Sequence, residues 1–173
     1  MHNIVLTGFM GVGKSTIGRQ VAQRLGFEFV DLDTLLEGRQ GCTIRAIFET
    51  EGETHFRHLE AELCREVALW PQHVIATGGG ALVDLDNQAA FAAHSLVICL
   101  DCDPEALWQR LATSQNRPML DSPDRKARLL ALLAERQPAY AHIAHHVDTT
   151  YRPINTVVRD VYTLWQQQTG VNV

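Results

Sequence analysis

The sequence predicts an α/β fold built around a five-stranded parallel β-sheet. Short apolar runs rich in β-branched residues recur along the chain, and segments with helical periodicity separate them. That alternation is typical of a parallel sheet flanked by helices. The predicted strands cover residues 4–6, 27–30, 74–76, 96–100 and 146–148. A chain of 173 residues fits one domain of ordinary size, so residues 1–173 are expected to form a single unit.

Apolar residues at three- and four-residue spacing predict the helices in turn. The first helix carries Ile17 and Leu25 on one face and ends at Gly26, a residue suited to a helix C-terminus. A long helix is predicted over residues 53–70 and closes before a proline. The next opens at Asp103, an N-cap followed by proline as the first helical residue. The last two are predicted to run from about residue 123 to residues 137–138 and over residues 154–165.

Residues 8–15, Gly-Phe-Met-Gly-Val-Gly-Lys-Ser, form a complete phosphate-binding loop between the first predicted strand and the first predicted helix. The glycines let the backbone curl so that successive N–H groups point at phosphate oxygens. Lys14 reaches the β- and γ-phosphates, and the Ser15 hydroxyl can ligate Mg²⁺. The N-terminus of the helix adds the positive end of its dipole. The motif therefore predicts binding of a nucleoside triphosphate, but it does not identify the group that receives the phosphate.

Composition and charge exclude several classes of function. The formal net charge of −5 argues against a sequence-independent nucleic-acid surface, which needs clustered Lys and Arg. The N-terminus lacks the features of a signal peptide, and no apolar stretch approaches the length of a membrane span. The four cysteines lack the spacing of a disulfide framework and fit a reducing compartment. We therefore expect a cytoplasmic monomer without nucleic-acid or membrane partners.

Two groups of residues resemble metal or redox motifs. Cys99 and Cys102 form a C-x-x-C pair, but no second pair accompanies it and Cys99 falls inside a predicted strand, which favours a core role. His142, His145 and His146 lie late in the chain, with no Cys or acidic partner at ligand spacing. We interpret these three as surface or core histidines.

Two carboxylates follow the second predicted strand. Continued strand alternation would send Asp31 and Asp33 to the same side, at the strand end where open parallel sheets bind ligands. One carboxylate would support a Mg²⁺ shell beside Ser15, and the other would hold a substrate hydroxyl and accept its proton. A solvated turn that caps the next helix explains the same residues equally well. The two residues alone leave both interpretations open.

Three consecutive glycines, Gly78, Gly79 and Gly80, follow the third predicted strand, where many nucleoside triphosphatases carry an acidic Mg²⁺ ligand. Their bare backbone can approach a ligand and donate N–H groups, which favours a binding role over a flexible turn. Arg57 and Arg136 lie beside apolar positions on two predicted helices. Each alone is typical of a protein surface, but together with a phosphate loop they suggest a pair that binds an anionic acceptor.

The polar stretch of residues 113–124 contains prolines and lacks periodicity, and it is the one long loop that the sequence predicts. A loop of this kind in a compact domain is usually functional or disordered, and its position after a helix favours a lid over an active site. Arg117 lies within this loop. We expect its guanidinium to meet the charge on the transferring phosphate.

Taken in this order, the motifs resemble the shikimate kinase family over nearly the whole chain. The resemblance rests on residues 8–19, 31–33, 47–48, 52–53, 56–57, 77–81, 117–120 and 136–140. Met119 stands where the family often has leucine, and Leu32 where a small polar residue is common; neither touches the expected chemistry. The resemblance implies a three-layer αβα, adenylate-kinase-like P-loop kinase fold with a lid. It also implies ATP-dependent phosphorylation of shikimate at its 3-hydroxyl, a step towards chorismate and the aromatic amino acids.

The resemblance further implies roles for residues on the nucleotide side. The ATP phosphates are expected to lie against the loop residues Gly11, Val12, Gly13, Lys14, Ser15 and Thr16. Mg²⁺ is the expected cofactor, held by Ser15 with Asp31 nearby. Arg117 would close onto the ATP phosphates with the lid, while Arg110 and Arg152 are expected to make further nucleotide contacts.

On the acceptor side, the resemblance implies that Asp33 grips shikimate hydroxyls and orients or deprotonates the attacking one. Arg57 and Arg136 would clamp the shikimate carboxylate. Backbone contacts are expected from Gly78, Gly79 and Gly80. Catalysis would depend on Lys14, Asp33 and Arg117.

Two alternatives accompany this interpretation. A kinase of another small hydroxy acid, such as gluconate, has a similar fold and loop and also phosphorylates a carboxylated polyol, although the Asp-x-Asp, Phe-Arg and triple-glycine combination favours shikimate. A nucleotide-binding module that has lost catalysis is the second alternative. The joint presence of Lys14, Ser15, Asp33 and Arg117 argues against it.

Overall fold

The computed structural model describes residues 3–112 and 123–170 of the chain. In this part of the chain, one parallel sheet contains five strands in the order β2-β3-β1-β4-β5. The strands are Asn3–Thr7 (β1), Glu28–Asp31 (β2), His73–Ala76 (β3), Ser95–Asp101 (β4) and His145–Asp148 (β5). Each overlaps one of the predicted strands, so the predicted sheet is confirmed.

Helices precede or follow every strand of the sheet. Their bounds are Lys14–Leu25 (α1), Leu32–Gln40 (α2), Ile44–Thr50 (α3), Gly52–Val67 (α4), Leu85–Ala92 (α5), Pro104–Leu111 (α6), Arg125–Tyr140 (α7) and Ile154–Thr169 (α8). A short 3₁₀ turn, Ala81–Val83, links β3 to α5. None of the helices in the described ranges combines the length and apolar character that a membrane span requires.

The middle strand divides the interior into two cores. Ile4 and Leu6 of β1 pack into one core and Val5 packs into the other, and all three are fully buried. Alternating side chains of a strand point to opposite faces of the sheet, so each face carries its own helical layer. Burying one such side chain contributes about 1.5–3 kcal/mol, which makes the strand that faces both cores the centre of the fold. The predicted three-layer αβα arrangement is therefore confirmed.

The predicted helix ends hold at two positions and fail at two others. Gly26 ends α1 in the left-handed conformation (φ 69°), and Asp103 caps α6 by accepting bonds from two backbone N–H groups. The predicted helix over residues 53–70 ends earlier, at Val67, because tight turns occupy the residues before the proline. The helix predicted to end at residues 137–138 continues to Tyr140, whose buried ring and hydroxyl bond hold the last turn despite the missing N–H of Pro138.

The expected lid, residues 113–124, lies almost entirely outside the described residues, and so does Arg117. Two residues of the stretch are described. Of these, Asp124 caps α7 by accepting a hydrogen bond of 2.9 Å from the backbone N–H of Ala127. The cap fixes where α7 begins, and α7 carries Arg136 three turns further along.

Candidate active site

The phosphate-binding loop leaves the end of β1 and enters α1, as the sequence predicts. Gly8, Gly11 and Gly13 all have positive φ angles, of 124°, 84° and 102°. A Cβ on Gly8 would also lie 2.3 Å from the carbonyl oxygen of Leu100 on β4. Any side chain at Gly8 would therefore be strained and would collide with the sheet. The loop can form its concave backbone only with these glycines.

The first two residues of α1 turn their side chains towards the loop and towards β2. Lys14 Nζ donates to the carbonyl oxygens of Gly8 (2.8 Å) and Phe9 (3.0 Å). Ser15 Oγ donates to Asp31 Oδ2 at 2.5 Å and so links α1 to the end of β2. Hydroxyl and carboxylate oxygens are ligands that Mg²⁺ accepts. The residues expected to share a Mg²⁺ shell thus lie side by side.

The expected alternation of Asp31 and Asp33 along one strand is wrong. β2 ends at Asp31, and Asp33 lies in the first turn of α2. Asp31 caps this helix, because its side chain accepts a hydrogen bond from the backbone N–H of Thr34 at 3.3 Å. Asp31 therefore caps a helix and also contacts Ser15, so both interpretations left open by the sequence describe part of its surroundings.

Three charged groups occupy the space that side chains would fill at the triple glycine. A Cβ on Gly78 would lie 2.6 Å from Asp33 Oδ1, and a Cβ on Gly80 would lie 2.8 Å from Arg57 Nη1. On Gly79 it would lie 3.1 Å from Arg136 Nη1. The φ angles of these glycines are not positive, so the requirement is for space and not for an unusual backbone conformation. The missing side chains thus let the predicted acceptor residues converge.

Glu60, which the sequence analysis missed, holds Arg57 in this arrangement. Arg57 Nη1 donates to Glu60 Oε2 at 2.7 Å, and Arg57 Nη2 donates to Glu53 Oε1 at 3.0 Å. Glu60 is 5% exposed and also lies near Gly78, where a Cβ would be 3.1 Å from Glu60 Oε1. Its signal in the sequence was the three-residue spacing from Arg57, which places both side chains on one face of α4.

Burial and the neighbouring charges affect the pKa values of Arg57 and Glu60 differently. Burial raises the pKa of Glu60, although the Arg57 guanidinium acts in the opposite direction. Burial lowers the pKa of Arg57, but the Glu60 and Glu53 carboxylates outweigh burial and leave that pKa raised. Arg57 thus keeps its positive charge, and Glu60 is the member of the pair whose ionisation the surroundings oppose.

Arg136 lies between the triple glycine and the phosphate loop. It is only 5% exposed, and its guanidinium carbon lies 5.6 Å from the ring centre of Phe9 in the loop. One turn further along α7, the Tyr140 hydroxyl donates to the carbonyl oxygen of Gly79, and burial raises the pKa of Tyr140 to about 12. The phenol therefore remains a neutral donor that fixes Gly79 at neutral pH.

Gly79 joins the two halves of the site. A Cβ at this position would lie 3.4 Å from the backbone nitrogen of Met10 and 3.6 Å from the carbonyl oxygen of Gly8. Lys14 Nζ donates to the same Gly8 carbonyl. Gly79 thus lies between Arg136 and the loop carbonyl that Lys14 contacts. Arg136 therefore adjoins both the triple glycine and the phosphate loop.

A cavity of about 340 Å³ lies beside these groups, between α4, α7 and the segment after β3. Its lining includes Arg57, Glu60, Gly80 and Arg136. A larger cavity of about 540 Å³ lies at the other end of β4 and contains none of the predicted site residues. Convergent charged groups identify a polar ligand site better than volume does, so the smaller cavity is the candidate ligand site.

The two predicted outer nucleotide contacts differ in their surroundings. Arg110 bridges the phosphate loop and the end of β5, because its Nη1 donates to the carbonyl oxygen of Gly11 at 3.4 Å and its Nη2 donates to that of Thr149 at 2.6 Å. Arg152 donates to the carbonyl oxygen of Asp148 at 2.9 Å and to Asp160 Oδ2 at 2.5 Å. Arg110 thus touches the phosphate loop, whereas the contacts of Arg152 support the start of α8.

Comparisons with known proteins match nearly the whole chain. A family model described as shikimate kinase matches residues 10–165. A shikimate kinase from Symbiobacterium thermophilum is 43% identical over 169 residues, covering 96% of this chain and 97% of that protein. The structure of shikimate kinase from Acinetobacter baumannii in complex with shikimate is similar with a TM-score of 0.88 and 34% identity, covering 98% of this chain and 95% of the other. A gluconokinase from Sinorhizobium meliloti, at 16% identity and a TM-score of 0.63 over 98% of this chain and 94% of the other, shares the fold.

The contacts of Gly78 generate a prediction about stability. In Gly78→Ala, the added methyl group would lie 2.6 Å from Asp33 Oδ1, which forces the carboxylate or the backbone to move. We expect the free energy of unfolding in urea to fall by about 1–3 kcal/mol, the usual cost of overpacking.

Gly38→Ala is the matched control, since Gly38 lies inside α2 with no atom within 4 Å of an added Cβ. This control should be more stable than the wild type by about 0.8–1 kcal/mol, the difference in helix propensity. If Gly78→Ala gained stability as Gly38→Ala does, Asp33 would not be held against this glycine.

Proposed function

The chain belongs to the shikimate kinase family, and we propose that the cleft between its phosphate loop and its triple glycine transfers the γ-phosphoryl group of ATP to the 3-hydroxyl of shikimate. The observation that supports this assignment is the surroundings of Gly79. This glycine lies beside Arg136 and beside the Gly8 carbonyl oxygen, which accepts a hydrogen bond from Lys14. The product is 3-phosphoshikimate, used on the route to chorismate and the aromatic amino acids. The whole chain would act as one kinase domain, since the helices that carry Lys14, Asp33, Arg57 and Arg136 flank one sheet.

On the donor side, the amides of residues 11–16 and Lys14 would hold the ATP phosphates. The concave loop and the N-terminus of α1 support this role, because both direct N–H groups at an anion. The neighbouring oxygens of Ser15 and Asp31 fit a hard cation, so these residues would hold Mg²⁺. Bound with ATP, Mg²⁺ neutralises charge on the phosphate oxygens.

On the acceptor side, Arg57 and Arg136 would bind the shikimate carboxylate. Both arginines adjoin the 340 Å³ cavity, and one of them is almost fully buried, where a charge-assisted bond is strongest. Glu60 would keep Arg57 pointed at the carboxylate through their 2.7 Å hydrogen bond. Backbone contacts from Gly78, Gly79 and Gly80 would complete the pocket.

Asp33 would orient the attacking hydroxyl. Its carboxylate lies against Gly78, two residues before Gly80, which lines the 340 Å³ cavity, and this supports the role. In the transfer, the shikimate oxygen forms a bond to the γ-phosphorus, the bond from that phosphorus to the β-bridging oxygen breaks, and ADP leaves. The hydroxyl proton passes to Asp33.

Three arginines would complete the nucleotide site. Arg110 would contact ATP beside the loop, a role supported by its bond to Gly11. Arg152 would add a contact near the base from the neighbouring segment. Arg117 would meet the transferring phosphate; this residue lies outside the described residues, and the proposal for it rests on the sequence resemblance.

The test of the function is a coupled ADP-release assay of the purified chain with MgATP and either shikimate or gluconate. We expect rapid turnover with shikimate and little with gluconate. The chain is 43% identical to a shikimate kinase, whereas its similarity to the gluconokinase, at 16% identity, is limited to the fold. Preference for gluconate would overturn the assignment. ATP binding without turnover on either acid would favour a non-catalytic module.

Replacement of Asp33 tests the proposed proton acceptor. Asp33→Asn is nearly isosteric but uncharged, so we expect turnover to fall about a hundredfold or more, the usual contribution of a positioned base. ATP affinity, measured by titration, should stay close to that of the wild type because the phosphate loop is unchanged. Asp86→Asn, on the exposed first turn of α5, is the control and should retain full turnover. Wild-type turnover in Asp33→Asn would contradict the proposed role.

Replacement of Arg136 tests the carboxylate clamp. Arg136→Met keeps an unbranched apolar stem against Phe9 but removes the charge. Losing one charge-assisted bond costs about 1.5–3 kcal/mol, so the KM for shikimate should rise roughly tenfold to a hundredfold. The KM for ATP should change little. Arg159→Met, at an exposed position of α8, provides the control. A loss confined to ATP binding would be evidence against the clamp.

A further inference from the structure

A second group of ligand-type side chains lies at the ends of β4 and β5. Cys99 and His146 are partners in the parallel register of these strands, so their side chains share one face of the sheet. Asp101 lies two residues after Cys99 on the same face. One donor atom from each of the three residues lies within 4.8 Å of the others. In the sequence, Cys99 and His146 lie 47 residues apart; the pairing of β4 with β5 brings them together.

Hydrogen bonds hold the three potential metal-ligand atoms close to one another. His146 Nδ1 lies 2.8 Å from Asp101 Oδ2, and Cys99 Sγ donates to Asp101 Oδ1 at 3.6 Å. The other ring nitrogen of His146, Nε2, donates to the carbonyl oxygen of Ile143 at 2.9 Å. A backbone carbonyl in this position is the usual partner of a metal-binding histidine, because it fixes the ring and leaves the remaining nitrogen to face the metal.

The group is accessible from one side. Cys99 is fully buried, whereas the side chains of His146 and Asp101 are 36% and 47% exposed. The His146 and Asp101 side of the group is therefore in contact with solvent, where water would fill a fourth position. Burial raises the pKa of the Cys99 thiol, and the nearby Lys14 ammonium acts in the opposite direction. A thiolate ligand favours ions of the zinc type over hard cations.

We propose that Cys99, Asp101 and His146 form a binding site for one divalent metal ion of the zinc type. Nitrogen, carboxylate oxygen and thiolate sulfur are the three donor types of zinc sites, and three protein ligands plus water complete a tetrahedron. Mg²⁺ would not compete, since it requires oxygen ligands. The ion takes the place of the thiol proton and of any proton on Nδ1, and these protons pass to solvent.

A metal ion at this site would link β5 to β4 at the edge of the sheet, near the expected nucleotide site. Within residues 3–112 and 123–170, β5 is an edge strand of four residues that pairs only with β4. Just beyond the proposed site, Thr149 donates from its backbone N–H and its hydroxyl to the carbonyl oxygen of Asp101, both at 2.8 Å, and it accepts the bonds of Arg110. Because an ion that binds only the folded chain stabilises it, metal should raise the unfolding temperature.

The test is a titration of the full chain, stripped of metal with a chelator and free of nucleotide, with Zn²⁺ by calorimetry and with Co²⁺ by absorption spectroscopy. We expect one strong Zn²⁺ site per chain and an unfolding temperature that rises with Zn²⁺. Co²⁺ should give a thiolate-to-metal absorption band and the intense visible bands of tetrahedral cobalt. Excess Mg²⁺ should displace neither ion. An absence of strong Zn²⁺ binding, or Co²⁺ bound without the thiolate band, would overturn the proposal.

Variants assign the ligands. His146→Gln, Asp101→Asn and Cys99→Ser should each weaken Zn²⁺ binding about tenfold or more, and Cys99→Ser should abolish the thiolate band. His145→Gln, at the neighbouring position whose side chain points to the opposite face of the sheet, and Cys102→Ser are the controls and should bind as the wild type does.

His146→Gln and Asp101→Asn change partly exposed groups, so they decide the outcome if the buried cysteine variant does not fold. Thermal unfolding in the presence of chelator confirms that each variant is folded before titration. Unchanged affinity in these two variants, or an equal loss in the controls, would refute the site.

Discussion

The arrangement of the active site depends on the absence of side chains at Gly78, Gly79 and Gly80. Parallel pairing of β3 with β1 continues into a bond from the backbone N–H of Thr77 to the carbonyl oxygen of Leu6, so the glycines leave the sheet beside the phosphate loop. Each one faces a charged side chain, brought by α2, α4 or α7. An added methyl group at Gly78 or Gly80 would displace the charged side chain that it faces. The space left by three missing side chains is what allows Asp33, Arg57 and Arg136 to approach the backbone beside the phosphate loop.

The charges gathered in that volume nearly cancel. Arg57 and Arg136 lie near the carboxylates of Asp33 and Glu60, and two of these four residues are 5% exposed. Buried ion pairs seldom add net stability, because desolvation offsets the attraction between the charges. Their value here is geometric, since each arginine is held in place before a ligand arrives. An entering carboxylate would then meet preset donors, while burial already weakens the ionisation of the competing Glu60 carboxylate.

Local signals in the sequence were sufficient for the strands, the phosphate loop and most helix ends. They failed where two signals overlapped: Asp31 ends a strand and caps a helix at the same time, so alternation was wrongly extended to Asp33. The short helices α3 and α5 were not assigned, and α2 was only one of two interpretations of its first residues, because seven to nine residues give little periodicity. The equally short α6 was predicted from its Asp103 cap. Glu60 was overlooked because a glutamate on a helix is ordinary until its burial is known.

Contacts between distant parts of the chain depend on strand register, which apolar strands do not encode. Continuous hydrophobic runs buried on both faces would pair almost as well after a shift of one residue, but the shift would turn every side chain to the other face. In β5 such a shift would replace His146 by His145 beside Cys99. It would also move Thr149 away from the Asp101 carbonyl oxygen and so displace the partner of Arg110. The position of Arg110 on the phosphate loop is therefore set by the pairing of an edge strand and not by the loop motif itself.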